Sequence, residues 1–126
     1  NGSHRIVLTE GEGEELGAEG TVAFYYAGYT FSGSVNASSL FATNSEEVAS
    51  SAKWTLDENQ KEVVTTTLSD KEVLEGLRNG LTGVRQGEVC YILFSGKYGF
   101  GKKLFGTIPA NSALCFQIWV ESISND

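Results

Sequence analysis

The sequence predicts an α+β domain in which strands dominate, and three observations lead there. Near its end Leu114, Phe116, Ile118 and Val120 alternate with Cys115, Gln117, Trp119 and Glu121, a period of two that separates an inner from an outer face. One stretch alone, Ser69 to Gly83, carries helix start and stop signals. Fifteen glycines against a single proline, set among many Val, Thr, Tyr and Phe residues, suit short strands joined by tight turns better than a helical bundle.

Size and charge narrow the field further. A chain of 126 residues with 40% apolar and 20% charged content has room for one core and one domain. Its formal charge of −7 would repel a phosphate backbone, which argues against nucleic-acid binding. The longest apolar runs fall well short of the ~20 residues that span a bilayer. Asn1-Gly2-Ser3-His4 resembles the scar of an expression tag, so the domain is assigned to residues 5–126. Free cysteines suit a reducing compartment, while the acidic balance and the lack of methionine suit an exported bacterial protein, periplasmic or lipid-anchored; the address stays open.

Along the chain, Arg5 to Leu8 reads as a short strand and Glu10 to Gly20 as a loop. Thr21 to Tyr29 is β-branched and aromatic at nearly every position, as a central strand covered on both faces would be. Ser32 to Ser39 is small and polar, with a turn at Gly33, and Leu40-Phe41 resumes apolar contact. Ala42 to Glu62 is polar apart from Val48, Trp54 and Leu56, and reads as an inserted segment. Val63 to Leu68 returns to strand composition. Ser69-Asp70-Lys71-Glu72 then has the form of a capping box. It opens a helix whose Val73, Leu74, Leu77 and Leu81 share one face, while Lys71, Glu75, Arg78 and Asn79 face water. Gly80 and Gly83 are read as its stop. Glu88 to Ser95 and Ala113 to Ile123 are the remaining strands.

Several motifs point nowhere. Gly96 to Lys102 satisfies G-x-x-x-x-G-K, but Lys103 occupies the place of the magnesium-binding Ser or Thr and no helix start follows. Cys90 and Cys115 lack the partners of a metal site. By strand parity they lie on opposite faces, which predicts two free thiols. Asn36-Ala37-Ser38 fits a glycosylation acceptor, a pattern too short to carry function.

The apolar residues fall in a more informative order. Val22-Ala23-Phe24-Tyr25-Tyr26-Ala27-Gly28 is similar to the V-x-V-x-Y-x-G strand of FKBP-type peptidyl-prolyl isomerases, and Phe41 to the phenylalanine of that family's F-D-S motif. Leu68 to Leu77 resembles its L-G-x-x-x-V-I-x-G-W, and Gly80 to Gly87 its G-L-x-G-M-x-x-G. Ile108-Pro109 with Asn111-Ser112 and Leu114-Cys115-Phe116 resembles its I-P-x-N-S-x-L-x-F ending. The resemblance implies a curved antiparallel sheet wrapped around one short α-helix, with an apolar pocket between them and no cofactor.

By position it implies that Tyr26, Phe41, Leu74, Phe100 and Phe116 carry catalysis, the Leu74 backbone N–H holding a substrate carbonyl, and that Val64, Val73, Leu77 and Ile108 complete the pocket. Its substrates would be proline-containing protein segments or unfolded clients, and a macrolide-type ligand would suit the same pocket. Four positions depart from the family pattern. Ala42 stands for aspartate, Leu77 for tryptophan, Phe100 for tyrosine and Val64 for phenylalanine. Weakened or altered isomerase activity is one consequence. A catalytically silent protein-binding or chaperone module is the other. The segment from 42 to 62 leaves from beside the pocket, as a cover, a client site or a tolerated surface loop. Leu104 and Phe105 are read either as an apolar hood or as ordinary packing.

Overall fold

The computed structural model describes residues 3–31, 39–70, 73, 75–95 and 113–125. Six antiparallel strands form one sheet: β1 (Ser3–Thr9), β2 (Thr21–Thr30), β3 (Leu40–Thr43), β4 (Val64–Thr67), β5 (Val89–Phe94) and β6 (Leu114–Ser124). Their order is β1-β5-β6-β2-β3, with β4 sharing the β2 edge that β3 also uses. Register shifts between Val7 and Thr9, Ala23 and Phe24, and Gly28 and Tyr29 mark bulges, and each bulge bends its strand. The sheet therefore curves around helix α2 (Glu75–Leu81), the α+β arrangement the resemblance implies.

The period of two in β6 holds through the core. Leu114, Phe116, Ile118 and Val120 are buried with Val22, Phe24, Ile92 and Phe94, and α2 adds Leu81. Two glycines let the helix come close. A Cβ at Gly76 would lie 2.2 Å from the Phe94 ring, and one at Gly80 2.2 Å from Ile92 Cγ2. Gly80 is thus a packing residue within α2 and not its stop; the stop is Gly83, whose φ of +96° suits glycine and whose N–H donates to the Leu16 carbonyl.

Other expectations are corrected here. The helix begins at Glu75, after a turn in which the Asp70 N–H donates to Thr67 O and the Val73 N–H to Asp70 O. The capping box needs Glu72, which with Lys71 and Leu74 lies outside the described residues. Arg78 is half-buried rather than turned out to water. Its guanidinium donates to the carbonyls of Leu68 (2.7 Å), Asp70 (2.8 Å) and Val73 (3.4 Å), because the turn before the helix leaves those acceptors without helical partners. Ser3 and His4, set apart as a tag remnant, pair in β1 with Phe94 and Leu93. The Ser3 side chain contributes as well, its Oγ donating to the Gly76 carbonyl at 2.8 Å.

The inserted segment is structured. Ala42 and Thr43 still belong to β3; the chain leaves the sheet at Asn44 and returns at Val64. Between them lie a second short helix, α1 (Glu46–Ser51), and a 3₁₀ turn at Glu58–Gln60. Ser45 caps α1 by accepting from the Val48 N–H at 3.3 Å. Val48 and Ala52 pack with Ala27, Tyr29, Leu40 and Trp119 on the outer face of the sheet. Leu40 and Phe41, adjacent in β3, point to opposite faces and belong to different clusters.

Cys90 and Cys115 are free, buried, and on opposite faces of the β5–β6 ladder, where Cys90 pairs with Ile118 and Cys115 with Leu93. Burial raises the Cys90 thiol to about 12, with nearby Glu88 adding to the effect, and the Cys115 thiol to about 11. Neither is an activated nucleophile.

Candidate functional site

Strand β2 builds the site, because one of its edges serves two partners. Thr21 to Phe24 pair with β4, and Ala27 to Tyr29 pair with β3. In the gap the buried Asn44 side chain takes over. Its Oδ1 accepts from the Tyr26 N–H at 2.7 Å, and its Nδ2 donates to the carbonyls of Phe24 (3.3 Å) and Glu62 (2.9 Å). Thr43 Oγ1 donates to the Tyr26 carbonyl at 2.6 Å. Both backbone groups of Tyr26 are therefore held, and its ring is presented to the inner face.

On that face the aromatic rings meet in series. Phe24 and Tyr26, two residues apart, have centroids 6.3 Å apart, and Tyr26 lies 6.3 Å from Phe116. Phe41 meets Phe116 edge to face at 5.7 Å, and Phe94 stacks on Phe116 at 5.9 Å. Gly28 makes the Phe41–Phe116 contact possible. It pairs with Ala42 on one side and Phe116 on the other, and a Cβ there would lie 2.8 Å from Phe116 and 2.9 Å from Phe41.

Four of these rings, Phe24, Tyr26, Phe41 and Phe116, form one wall of a pocket of about 530 Å³. Its opposite wall is Val73, Leu77 and Leu81, and its rim is Val64 to Thr67 of β4 with Asp70. Of the residues predicted for the site, Tyr26, Phe41, Val64, Val73, Leu77 and Phe116 come together here. Leu74, Phe100 and Ile108 lie outside the described residues, as do Leu104, Phe105, the Gly96 to Lys102 motif and Asn36-Ala37-Ser38. Sequence reasoning missed Phe24 and Leu81 as pocket residues. Phe24 had a signal in its spacing of two from Tyr26. Asn44 and Arg78 had none, since their partners are backbone groups distant in the chain.

The electrostatics are sparse. Asp70 is the one formally charged side chain on the pocket wall among the described residues, and burial raises the Tyr26 phenol above its ordinary range. Ala42, which lines the same pocket, carries only a methyl group. Among the described residues no group of three or more His, Cys, Asp or Glu gathers as a metal site. The wall can strip water from an apolar group and hold it, and it offers no paired acid and base. A larger cavity, about 720 Å³, lies on the outer face between α1 and Tyr25, Tyr29 and Trp119, and shares no lining residue with the pocket.

The family model for FKBP-type peptidyl-prolyl cis-trans isomerases matches residues 13–121. The chain belongs to that family. The FKBP domain is similar in structure to the crystal structure of FkpA from Escherichia coli, with a TM-score of 0.72 at 20% identity over 97% of this chain. It spans 48% of the FkpA chain, and at that identity the likeness is one of fold. No curated protein matches the chain at a significant level. Within this FKBP domain Ala42, Leu77 and Val64, three of the four departures from the family pattern, line the same pocket.

Proposed function

We propose that this FKBP domain takes a proline ring of a protein segment into the pocket bounded by Tyr26, Phe41, Val73, Leu77 and Phe116 and speeds cis-trans isomerisation of the peptide bond before it. The observation that carries this reading is the convergence of those side chains, from β2, β3, β6, α2 and the approach to it, on one apolar cavity. Resonance sets the uncatalysed barrier at ~18–20 kcal/mol, and an amide moved out of water loses solvation of its charge-separated form, so twisting becomes easier. The Leu74 N–H, by its position in the family motif, would hold the substrate carbonyl. The reaction breaks no covalent bond, so it needs neither nucleophile nor cofactor.

Activity is expected to be weak. Ala42 supplies no carboxylate and Leu77 leaves a wider floor than an indole would. A lost hydrogen bond costs roughly 0.5–1.5 kcal/mol and ~1.4 kcal/mol is tenfold in rate, so each change slows turnover while the cavity remains. A macrolide-type ligand would meet the same walls and the same missing partners. The alternative, a silent binding module, is favoured by the same two residues. An isomerisation assay on a proline peptide separates them: acceleration in proportion to protein concentration supports the enzyme, and a rate equal to the uncatalysed one at high protein concentration leaves the binding module. Binding of a proline-free client as tight as that of its proline-containing counterpart would point to a general chaperone instead.

A further inference from the structure

The inserted segment borders the pocket on its open side. After α1 the chain returns to the inner face, and Trp54 to Glu62 form with β3 and β4 a second groove of about 510 Å³. This groove and the proline pocket share Tyr26, Phe41, Ala42 and Val64 as a common wall. A segment with its proline in the pocket extends by ~3.3–3.6 Å per residue, so a neighbouring side chain one or two positions away enters the groove.

The groove has a chemical character of its own. Trp54, 37% exposed, supplies an indole at its margin, and Glu62 is the one charged side chain lining it among the described residues. Among the described residues no lysine or arginine lines it. The nearby Lys61 is engaged elsewhere, 2.8 Å from Glu46 and 3.5 Å from Glu58. The main chain of Glu62 is fixed by Asn44, so its carboxylate projects from a held position. An indole and a carboxylate lining one groove, in a chain of formal charge −7, are complementary to a cation.

We propose that this groove is a specificity subsite for an arginine or lysine side chain flanking the substrate proline. The inference rests on the proline-pocket reading above, and adds which proline-containing segments are preferred. Trp54 stacks on the cationic group and Glu62 pairs with it; neither acts on the peptide bond itself.

The test uses proline peptides carrying arginine, or its uncharged isostere citrulline, on either side of the proline, with isomerisation rates and dissociation constants measured in parallel. Binding is followed by isothermal titration calorimetry, which serves the unaltered protein and the Trp54 and Glu62 variants alike. The arginine peptide is expected to be favoured roughly three- to tenfold in kcat/KM and in Kd, and high salt should shrink the ratio. Glu62→Gln should bring the ratio toward one, and Glu62→Lys should turn it against arginine. Trp54→Ala should lower it while leaving a salt-dependent remainder. Equal values for arginine and citrulline in the unaltered protein, or a ratio that Glu62→Lys does not move, would overturn the subsite. The two readings fail separately. Loss of acceleration on every peptide removes the enzyme, and the Kd ratio still decides the subsite; acceleration without arginine preference removes the subsite alone.

Discussion

Asn44 donates from its side-chain amide to the carbonyl of Glu62 at 2.9 Å, so the first residue after β3 ties down a residue just before β4. The same amide satisfies the Tyr26 N–H and the Phe24 carbonyl of the central strand. Asn44→Ala would take the partner from one buried and two part-buried groups, at about 1–3 kcal/mol for each group left unsatisfied. A total loss of about 2–4 kcal/mol is expected in urea unfolding. Faster amide exchange at Tyr26 should accompany it, and a loss below ~1 kcal/mol would show that the amide is not what joins these strands.

Gly28→Ala tests the meeting of Phe41 and Phe116. The added Cβ would lie within 3 Å of both rings, whose edge-to-face contact must then open. Overpacking of this kind costs about 1–3 kcal/mol, and the displaced rings narrow the pocket. Isomerisation should slow even at temperatures where the variant is fully folded. An unchanged rate would mean that this contact does not shape the substrate site.

Ala42→Asp runs in the other direction. It returns a carboxylate to a half-buried position in the pocket that Tyr26 also lines. One added hydrogen bond of ~0.5–1.5 kcal/mol in the transition state would raise the rate by up to about tenfold. Partial burial of the new charge should lower the unfolding midpoint slightly. A variant that loses stability without gaining rate would remove this substitution from the account of weak activity.

Arg78 positions the approach to α2 through three backbone carbonyls and does not line the pocket. Arg78→Ala should destabilise the domain by about 1–3 kcal/mol and raise KM more than it lowers kcat, since the wall carrying Val73 would shift. Arg78→Lys should recover little, because an ammonium cannot reach the spread of acceptors that a planar fork does. Full rescue by lysine would show that charge alone matters there.

The cysteines give the domain an alkaline limit. In the folded state the Cys90 thiol is raised to about 12 and the Cys115 thiol to about 11, both above their unfolded value of 9.0. Between the unfolded and folded values the unfolded chain binds fewer protons, so this contribution to stability is complete below about pH 9 and declines as pH rises through 11 and 12. Denaturation midpoints should fall over that window, and fall less in Cys90→Ala after correction for its cavity. Below pH 9 the native thiols should react with a disulfide reagent far more slowly than those of the unfolded chain.

Much of the fold was legible because the signals are local. The alternation from Leu114 to Val120 defines the inner face of β6, and the dense apolar run from Thr21 marks the central strand. Local signals misled where contacts are distant. Gly80 looks like a helix stop and is a gap for Ile92, and Arg78 looks solvent-facing and reaches back across the turn. Val48, Trp54 and Leu56 were visible as the apolar residues of the inserted segment. That Val48 packs on the outer face while Trp54 and Leu56 line the inner groove was not.

The sequence by itself determined the class of fold, the family, and the chemical poverty of the site: with Ala42 and Leu77 in place, no folding of this chain could supply a carboxylate or an indole at those positions. Only the tertiary structure decided which side chains share a cavity. Six of the predicted site residues meet because one edge of β2 is divided between two strands, and because Gly28 leaves space for two rings. It also decided that the inserted segment packs on both faces at the sheet edge and lines a groove sharing four residues with the pocket. Identity is a local property of the chain, whereas a cavity is a relation among backbones separated by dozens of residues, held by hydrogen bonds such as that from Asn44 to Glu62 that no local pattern encodes.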